Sequence, residues 1–143
     1  GVGMRWPYSF PHWIMPKLRD NLLGVARFAS TVDWAHFSPR NINQEIAVDR
    51  PYIIRVGCAQ STQALVWLLA DSRQDNPSVL AGARITLDGV LTDGSYTVEF
   101  WETHNGELLD QIEVEVSDGV FRALVPDSTT DLKDVALHIY THE

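Results

Sequence analysis

The sequence predicts a mainly-β protein, an antiparallel β-sandwich preceded by one helix and by an N-terminal loop rich in aromatic residues and proline. Residues 90–126 alternate apolar and polar side chains over three short segments separated by turn residues. Further short segments of this kind follow Tyr52. The one strong helical pattern covers residues 16–36, where an apolar stripe recurs every three or four positions, at Leu18, Leu22, Val25, Ala29 and Val32.

The first 16 residues combine four aromatic side chains with three prolines: Trp6, Tyr8, Phe10 and Trp13, with Pro7, Pro11 and Pro16. This proline spacing prevents a regular helix and favours an extended loop. Pro16 itself suits the first turn of the helix that follows, where its missing N–H costs nothing.

Seven strands are predicted, at residues 52–58, 63–70, 82–88, 95–103, 108–117, 120–125 and 134–141. In the segment 95–103, the side chains of Tyr96, Val98 and Phe100 should face the core. Those of Thr97, Glu99 and Trp101 should face water. Turns are expected at Asn105-Gly106 and Asp118-Gly119, which tolerate a positive φ.

Some segments carry no simple alternation. The run 64–69 is apolar on both faces, which indicates a central strand or one beneath the helix, although a helical segment remains an alternative. Residues 72–78 are polar and suit an exposed loop. Three tryptophans are predicted to be core residues: Trp13, Trp34 and Trp67.

Net charge and composition limit the classes of binding partner that the chain is expected to have. The formal net charge is −8, which opposes binding to nucleic acid and favours neutral or cationic partners. No apolar run is long enough to span a membrane, so a soluble protein is expected, and its compartment is left open. The single cysteine, Cys58, allows neither an intrachain disulfide nor a cysteine zinc site, and its apolar strand suggests an inert thiol.

Candidate catalytic groups have ordinary explanations. The carboxylates between Glu99 and Glu115 alternate with apolar residues, as on a solvated strand face, rather than forming the spaced pair of a glycosidase. The histidines lack metal-ligand spacing, and no serine stands in a nucleophile elbow. We therefore predict no metal, no cofactor and no catalytic residue of the chain's own.

Short motifs nevertheless resemble one enzyme family. Arg5-Trp6-Pro7-Tyr8, Pro11-His12, the helix and Val32-Asp33-Trp34-Ala35-His36-Phe37 are similar to the end of a (β/α)8 glycoside hydrolase of the cellulase-like superfamily. Residues 94–103 with Gly106, and residues 134–139, resemble the C-terminal β-sandwich of such enzymes. The resemblance implies that residues 1–45 are the loop and helix that end a barrel and that residues 46–143 are the sandwich domain.

A (β/α)8 barrel needs about 200 residues or more, so the catalytic carboxylates of such an enzyme would lie upstream of residue 1. The chain is thus expected to be a non-catalytic C-terminal module that stabilises a catalytic barrel and edges its sugar site. By this resemblance Trp6, beside Arg5, contacts sugar, and Trp101 is a second candidate because strand alternation turns it away from the core. Both could instead be packing residues, with Trp6 anchoring the loop and Trp101 lying under the helix.

Two other functions remain open. The chain could be a free-standing carbohydrate-binding module, or a protein-interaction module that forms a homodimer through the helix at residues 16–32. Titration with polysaccharides separates the first of these from the second.

Overall fold

The computed structural model describes residues 14–73, 79–127 and 133–141, with side chains in the helix from Leu22 onward. Within these ranges one helix precedes nine strands. Their bounds are α1 Ile14–Ala29, β1 Arg40–Asn41, β2 Ile46–Val48, β3 Ile53–Gln60, β4 Gln63–Ala70, β5 Arg84–Asp88, β6 Gly94–Glu102, β7 Glu107–Val116, β8 Val120–Leu124 and β9 Asp134–Tyr140. The predicted mainly-β fold is confirmed, while the predicted aromatic loop before residue 14 lies outside the described residues.

The strands form two antiparallel sheets that pack face to face. The larger sheet has the order β1-β3-β4-β9-β6-β7, and the smaller has the order β2-β5-β8. β9 lies between β4 and β6, so the last described strand occupies the middle of the larger sheet. No helix in the described ranges is long and apolar enough to cross a membrane.

The seven predicted strands are all present, each with ends within two residues of the prediction. The prediction missed β1 and β2, which are too short to show a period. Asp118 and Gly119 both adopt the positive φ expected of the turn between β7 and β8. At the other predicted turn only Gly106 has a positive φ.

The main core fills the space between the sheets. The predicted inward residues of β6 are confirmed, since Tyr96, Val98 and Phe100 are all fully buried. On β4 the inward side chains alternate with outward ones, and the strand is central, as its apolar run predicted. Other large members of this core are Ile42, Ile46, Leu68, Leu80, Ile85, Leu87, Phe121, Leu137 and Ile139.

A second, smaller core covers part of the outer face of the larger sheet, the face turned away from the smaller sheet. Val32 and Phe37, from the chain after α1, pack there against Leu65 of β4. Phe28 of α1 packs against the same cluster and makes an edge contact with Trp101 of β6, with ring centroids 6.3 Å apart. The larger sheet is therefore buried on both faces where α1 crosses it.

This second layer makes one prediction wrong. The outward side of β6 was expected to be wet, but Thr97 is fully buried and Glu99 and Trp101 are half-buried. Strand alternation correctly separates the two faces of β6. It does not reveal that a helix 70 or so residues earlier in the chain covers the outward one.

The helix rests on the sheet through a glycine. A Cβ atom at Gly24 would lie 1.9 Å from the carbonyl oxygen of Thr103, so only glycine allows this approach. The guanidinium of Arg27 then donates to the carbonyl of Asn105 at 2.9 Å. The predicted apolar stripe is thus not the main packing face: Val32 is buried, but Leu22 and Val25 are 58% and 40% exposed.

The helix ends earlier than predicted, at Ala29 rather than residue 36. The Ser30 hydroxyl donates to the carbonyl of Arg27, and the Thr31 hydroxyl donates to the carbonyl of Phe28. These carbonyls thus accept side-chain hydrogen bonds where a continuing helix would supply backbone N–H groups. Asp33 then accepts a hydrogen bond from the N–H of Ala35 in a separate turn.

Two of the tryptophans predicted as core residues are not buried. Trp34 is 54% exposed and Trp67 is 42% exposed. Trp67 lies on the outer face of β4, two positions beyond Leu65, where the covering layer of α1 has ended. Trp13 lies outside the described residues.

We expect Phe100→Ala to lower the free energy of unfolding by about 3–5 kcal/mol, because it removes a fully buried aromatic ring from between the sheets. Glu107→Ala, on an exposed position of β7, should change it by about 0.5 kcal/mol or less. Denaturant midpoints of both variants measure this. Equal effects of the two substitutions would contradict the packing of β6.

Candidate functional site

Two concave surfaces flank α1 on the outer face of the larger sheet. One, the apolar groove, has a volume of about 370 Å³ and runs beside the outward side chains of β3 and β4. The other, the polar cleft, has a volume of about 320 Å³ and lies at the opposite side of the covering layer, over β9 and β6. Both volumes lie at the low end of the range for small-ligand sites.

The apolar groove is lined by side chains of α1, of the chain leading to β1, and of the two strands. Val25 and Phe28 contribute from the helix, Val56 and Cys58 from β3, and Trp67 from β4. Val56 and Trp67 are direct cross-strand partners in the antiparallel register, so their side chains lie next to each other on the same face. The pair Ile54 and Leu69 continues this row, and the four strand side chains are 38–51% exposed.

Cys58 is the only thiol that lines the apolar groove among the described residues. Burial raises the pKa of its thiol, which keeps it protonated at neutral pH. No basic group lowers that pKa. The structure therefore agrees with the interpretation of Cys58 as an inert thiol.

The polar cleft is built around the buried imidazole of His138 on β9. Its Nδ1 lies 3.1 Å from the hydroxyl of Thr31, and its Nε2 lies 2.8 Å from the amide nitrogen of Gln63. The Thr31 hydroxyl already donates to a backbone carbonyl, so Nδ1–H must donate to Thr31. Nε2 accepts from the Gln63 amide, and this arrangement fits a neutral imidazole.

Glu99 on β6 faces His138 across the cleft. One carboxylate oxygen accepts from the Trp101 indole N–H at 2.9 Å, and the other accepts from the Tyr140 hydroxyl at 3.1 Å. The Nδ1 of His138 is 3.7 Å from the first of these oxygens. The side chain of Glu99 is only 13% exposed, and hydrogen bonds from Trp101 and Tyr140 hold its carboxylate in place.

Burial lowers the pKa of His138, and the charge of Glu99 opposes this shift only in part. Burial also raises the pKa of Tyr140, and the hydrogen bond from its hydroxyl to Glu99 raises this pKa further. At neutral pH the cleft therefore contains an uncharged imidazole and an uncharged phenol around one carboxylate.

A second carboxylate, Asp33, stands at the rim of the cleft. It forms an exposed pair with the imidazole of His36 at 2.7 Å, which lowers the pKa of Asp33 and raises that of His36. Since both side chains are largely in water, this pair contributes little to stability.

None of the three predicted sugar-contact residues lines the polar cleft among the described residues. Arg5 and Trp6 lie outside the described residues. Trp101 is half-buried beneath α1, touching Phe28 and donating to Glu99, which is the packed arrangement that the sequence left open. In the part of the chain that the structure describes, no three histidine, cysteine or acidic side chains are placed to hold a metal ion.

Sequence reasoning missed the polar cleft altogether. Gln63 and His138 are 75 residues apart in the chain, and Thr31 is 107 residues from His138. They meet because β4 and β9 are neighbours and because the chain after α1 crosses over both. The alternation of β9 marks His138 as outward-facing, but no local pattern identifies its neighbours.

Comparison with known proteins adds no family assignment. No known protein family matches the sequence, and no curated protein sequence is similar enough to count as a relative.

Lowering the pH should destabilise the fold through His138. The folded protein keeps this imidazole neutral below the ordinary histidine pKa of 6.5, where the unfolded chain is already protonated, so the free energy of unfolding falls as the pH drops below that value. The charged and titratable groups facing it are Glu99 from β6, Tyr140 from β9 and Asp33 from the chain after α1.

The measurement is the urea midpoint between about pH 8 and about pH 5, for the wild type, His138→Gln and His104→Gln. His104 is exposed, so its variant should keep the wild-type pH dependence. The His138→Gln variant should lose stability less steeply toward low pH. If all three proteins have the same slope, His138 does not carry this effect.

Proposed function

We propose that the chain is a non-catalytic β-sandwich module that docks onto a larger catalytic domain through the apolar side of its outer face. One observation supports this most strongly. Beside α1, Ile54, Val56, Trp67 and Leu69 form a continuous row of half-exposed apolar side chains on two central strands. Such a row is costly to leave in water and marks an interaction surface.

The helix extends this row. Leu22 and Val25 are exposed on α1, and Val25 lines the same apolar groove as Val56 and Trp67. We call these six side chains the docking face: Leu22, Val25, Ile54, Val56, Trp67 and Leu69. On the outward side of the smaller sheet Leu124 of β8 is also exposed, but it lies beside Arg84, Arg122 and the β7 residues Ile112 and Val114 in a smaller concavity of about 250 Å³.

The resemblance to the cellulase-like superfamily suggests which domain covers the docking face. In that arrangement the helix equivalent to α1 is the last helix of a (β/α)8 barrel, and its apolar stripe packs on the barrel. The exposed Leu22 and Val25 fit this role, since they belong to the predicted stripe but do not contact the sandwich core. The partner in this proposal is accordingly a glycoside hydrolase barrel that the module stabilises.

The same proposal includes a contribution to the sugar site. Arg5 and Trp6 precede α1 and would stand at the sugar end of the last barrel strand, where an indole ring can stack on a pyranose. Trp101 has a different role in this proposal. Its indole N–H is bonded to Glu99 and its ring touches Phe28, so it supports the seat of α1.

The proposal is tested by light scattering of the chain with and without a (β/α)8 catalytic domain that ends before its last strand and helix, which residues 5–8 and α1 of this chain would replace. We expect the isolated chain to self-associate at micromolar concentration, because its docking face is uncovered, and to form a one-to-one complex when the barrel is added. Val56→Asp should weaken both associations strongly, because it places a charge in the centre of the face.

Leu124→Asp is the matched control, since it introduces the same charge at an equally exposed apolar position on the other sheet. It should leave both associations unchanged. A wild-type chain that stays monomeric and ignores the barrel would refute the docking role, as would equal effects of the two aspartates. Self-association alone, lost with Val56→Asp, would favour the homodimer instead.

We also expect no hydrolysis of aryl glycosides by the rigorously purified chain. A glycosidase needs two carboxyl groups at the bond it cleaves, and the other described carboxylate of the polar cleft besides Glu99, Asp33, is exposed at the rim and paired with His36. Hydrolysis that disappears in Glu99→Gln would contradict this expectation and would make the polar cleft an active site.

A further inference from the structure

The polar cleft holds a carboxylate whose charge no cation balances. All groups that touch the Glu99 carboxylate are uncharged at neutral pH: an indole N–H, a phenol and a neutral imidazole. No lysine or arginine of the described residues forms an ion pair with it. The Trp101 indole N–H and the Tyr140 hydroxyl donate to Glu99, but neither supplies a positive charge to balance a carboxylate whose side chain is only 13% exposed.

The remaining polar groups of the cleft add acceptors. The amide nitrogen of Gln63 is used by His138, which leaves the Gln63 carbonyl oxygen as an acceptor at the cleft wall. Asp33 adds a second carboxylate at the rim. No lysine or arginine among the described side chains lines the cleft, and the whole chain has a net charge of −8. Anions are therefore repelled, while donor-rich cations are attracted.

We propose that the polar cleft binds a small ligand carrying a protonated amine, with the ammonium group donating to Glu99. A charge-assisted bond of this kind is stronger than one between neutral groups, and it supplies the missing counter-charge. The volume of about 320 Å³ admits a single sugar ring or an aliphatic amine.

The carboxylate of Glu99 is held in position before any ligand binds. Tyr140 and Trp101 fix the two oxygens of Glu99, while Thr31 and Gln63 fix the imidazole beside it. Little side-chain entropy is lost when the amine enters, because these rotamers are already held. The docking face lies on the other side of α1, so this site does not depend on the docking role.

The experiment is an NMR titration that follows the indole N–H resonance of Trp101, which reports directly on the Glu99 carboxylate. Two pairs of probes differ only in charge: glucosamine against glucose, and n-butylammonium against n-butanol. The amines should shift the Trp101 resonance saturably, and the neutral partners should not. Nα-acetyl-lysine methylamide is a further arm, which distinguishes a lysine side chain of a protein from a free amine as the source of the ammonium group.

Glu99→Gln keeps the shape of the side chain and removes its charge, so amine affinity should fall about tenfold or more. Glu107→Gln removes the same charge from an exposed position of β7 and should change affinity less than about twofold. Amine binding should also lower the pKa of His138 further, since both cations compete for Glu99.

Three results would overturn the proposal. The first is equal binding of glucose and glucosamine, which would make the cleft a polyol site. The second is an equal loss of amine affinity in the two glutamine variants, which would indicate general charge attraction. The third is no shift of Trp101 in the wild-type protein with either amine at about 50 mM, a concentration that saturates a millimolar site.

Discussion

The close approach of α1 to the larger sheet at Gly24 is the contact on which the outer face depends. With no side chain at this position, the helix backbone comes within van der Waals distance of the Thr103 carbonyl in the turn after β6. This seat brings Phe28 onto Trp101 and carries the following residues, Val32 and Phe37, onto β4. Any larger residue at Gly24 would lift the helix and open both the second core and the polar cleft.

The same seat divides the outer face into two chemically different surfaces. On the β3 side the helix leaves Val56 and Trp67 uncovered, and the surface is apolar. On the β9 side the chain after α1 closes over His138 and Glu99, and the surface is polar and preorganised. The two surfaces share none of their lining residues, so a molecule in the polar cleft would not cover the apolar groove.

Local patterns in the sequence were enough for seven of the nine described strands and for the inward residues of β6. Alternation placed Tyr96, Val98 and Phe100 correctly, because β6 and β7 form a hairpin from neighbouring segments of the chain. It did not show that β8 leaves this hairpin and pairs with β5 in the smaller sheet. The packing of α1 could not be predicted in this way. The helix contacts the sheet at Gly24, and a glycine within a helical pattern ordinarily indicates lower helix stability rather than a packing contact. Leu22 and Val25 of the apolar stripe, which is easier to recognise in the sequence, are exposed instead. The polar cleft was hidden for the same reason, since its groups come from distant segments.

The position of β9 has a consequence for how the chain is made. β9 is the last of the described strands to be synthesised, yet it pairs with β4 on one side and β6 on the other. Until it emerges from the ribosome, β4 and β6 cannot share a sheet, and their apolar edges stay open. Pairing across about 70 residues is also entropically slow. Nascent or truncated chains that lack β9 would therefore expose two unpaired edges to other chains, which makes them targets for chaperones and prone to aggregation.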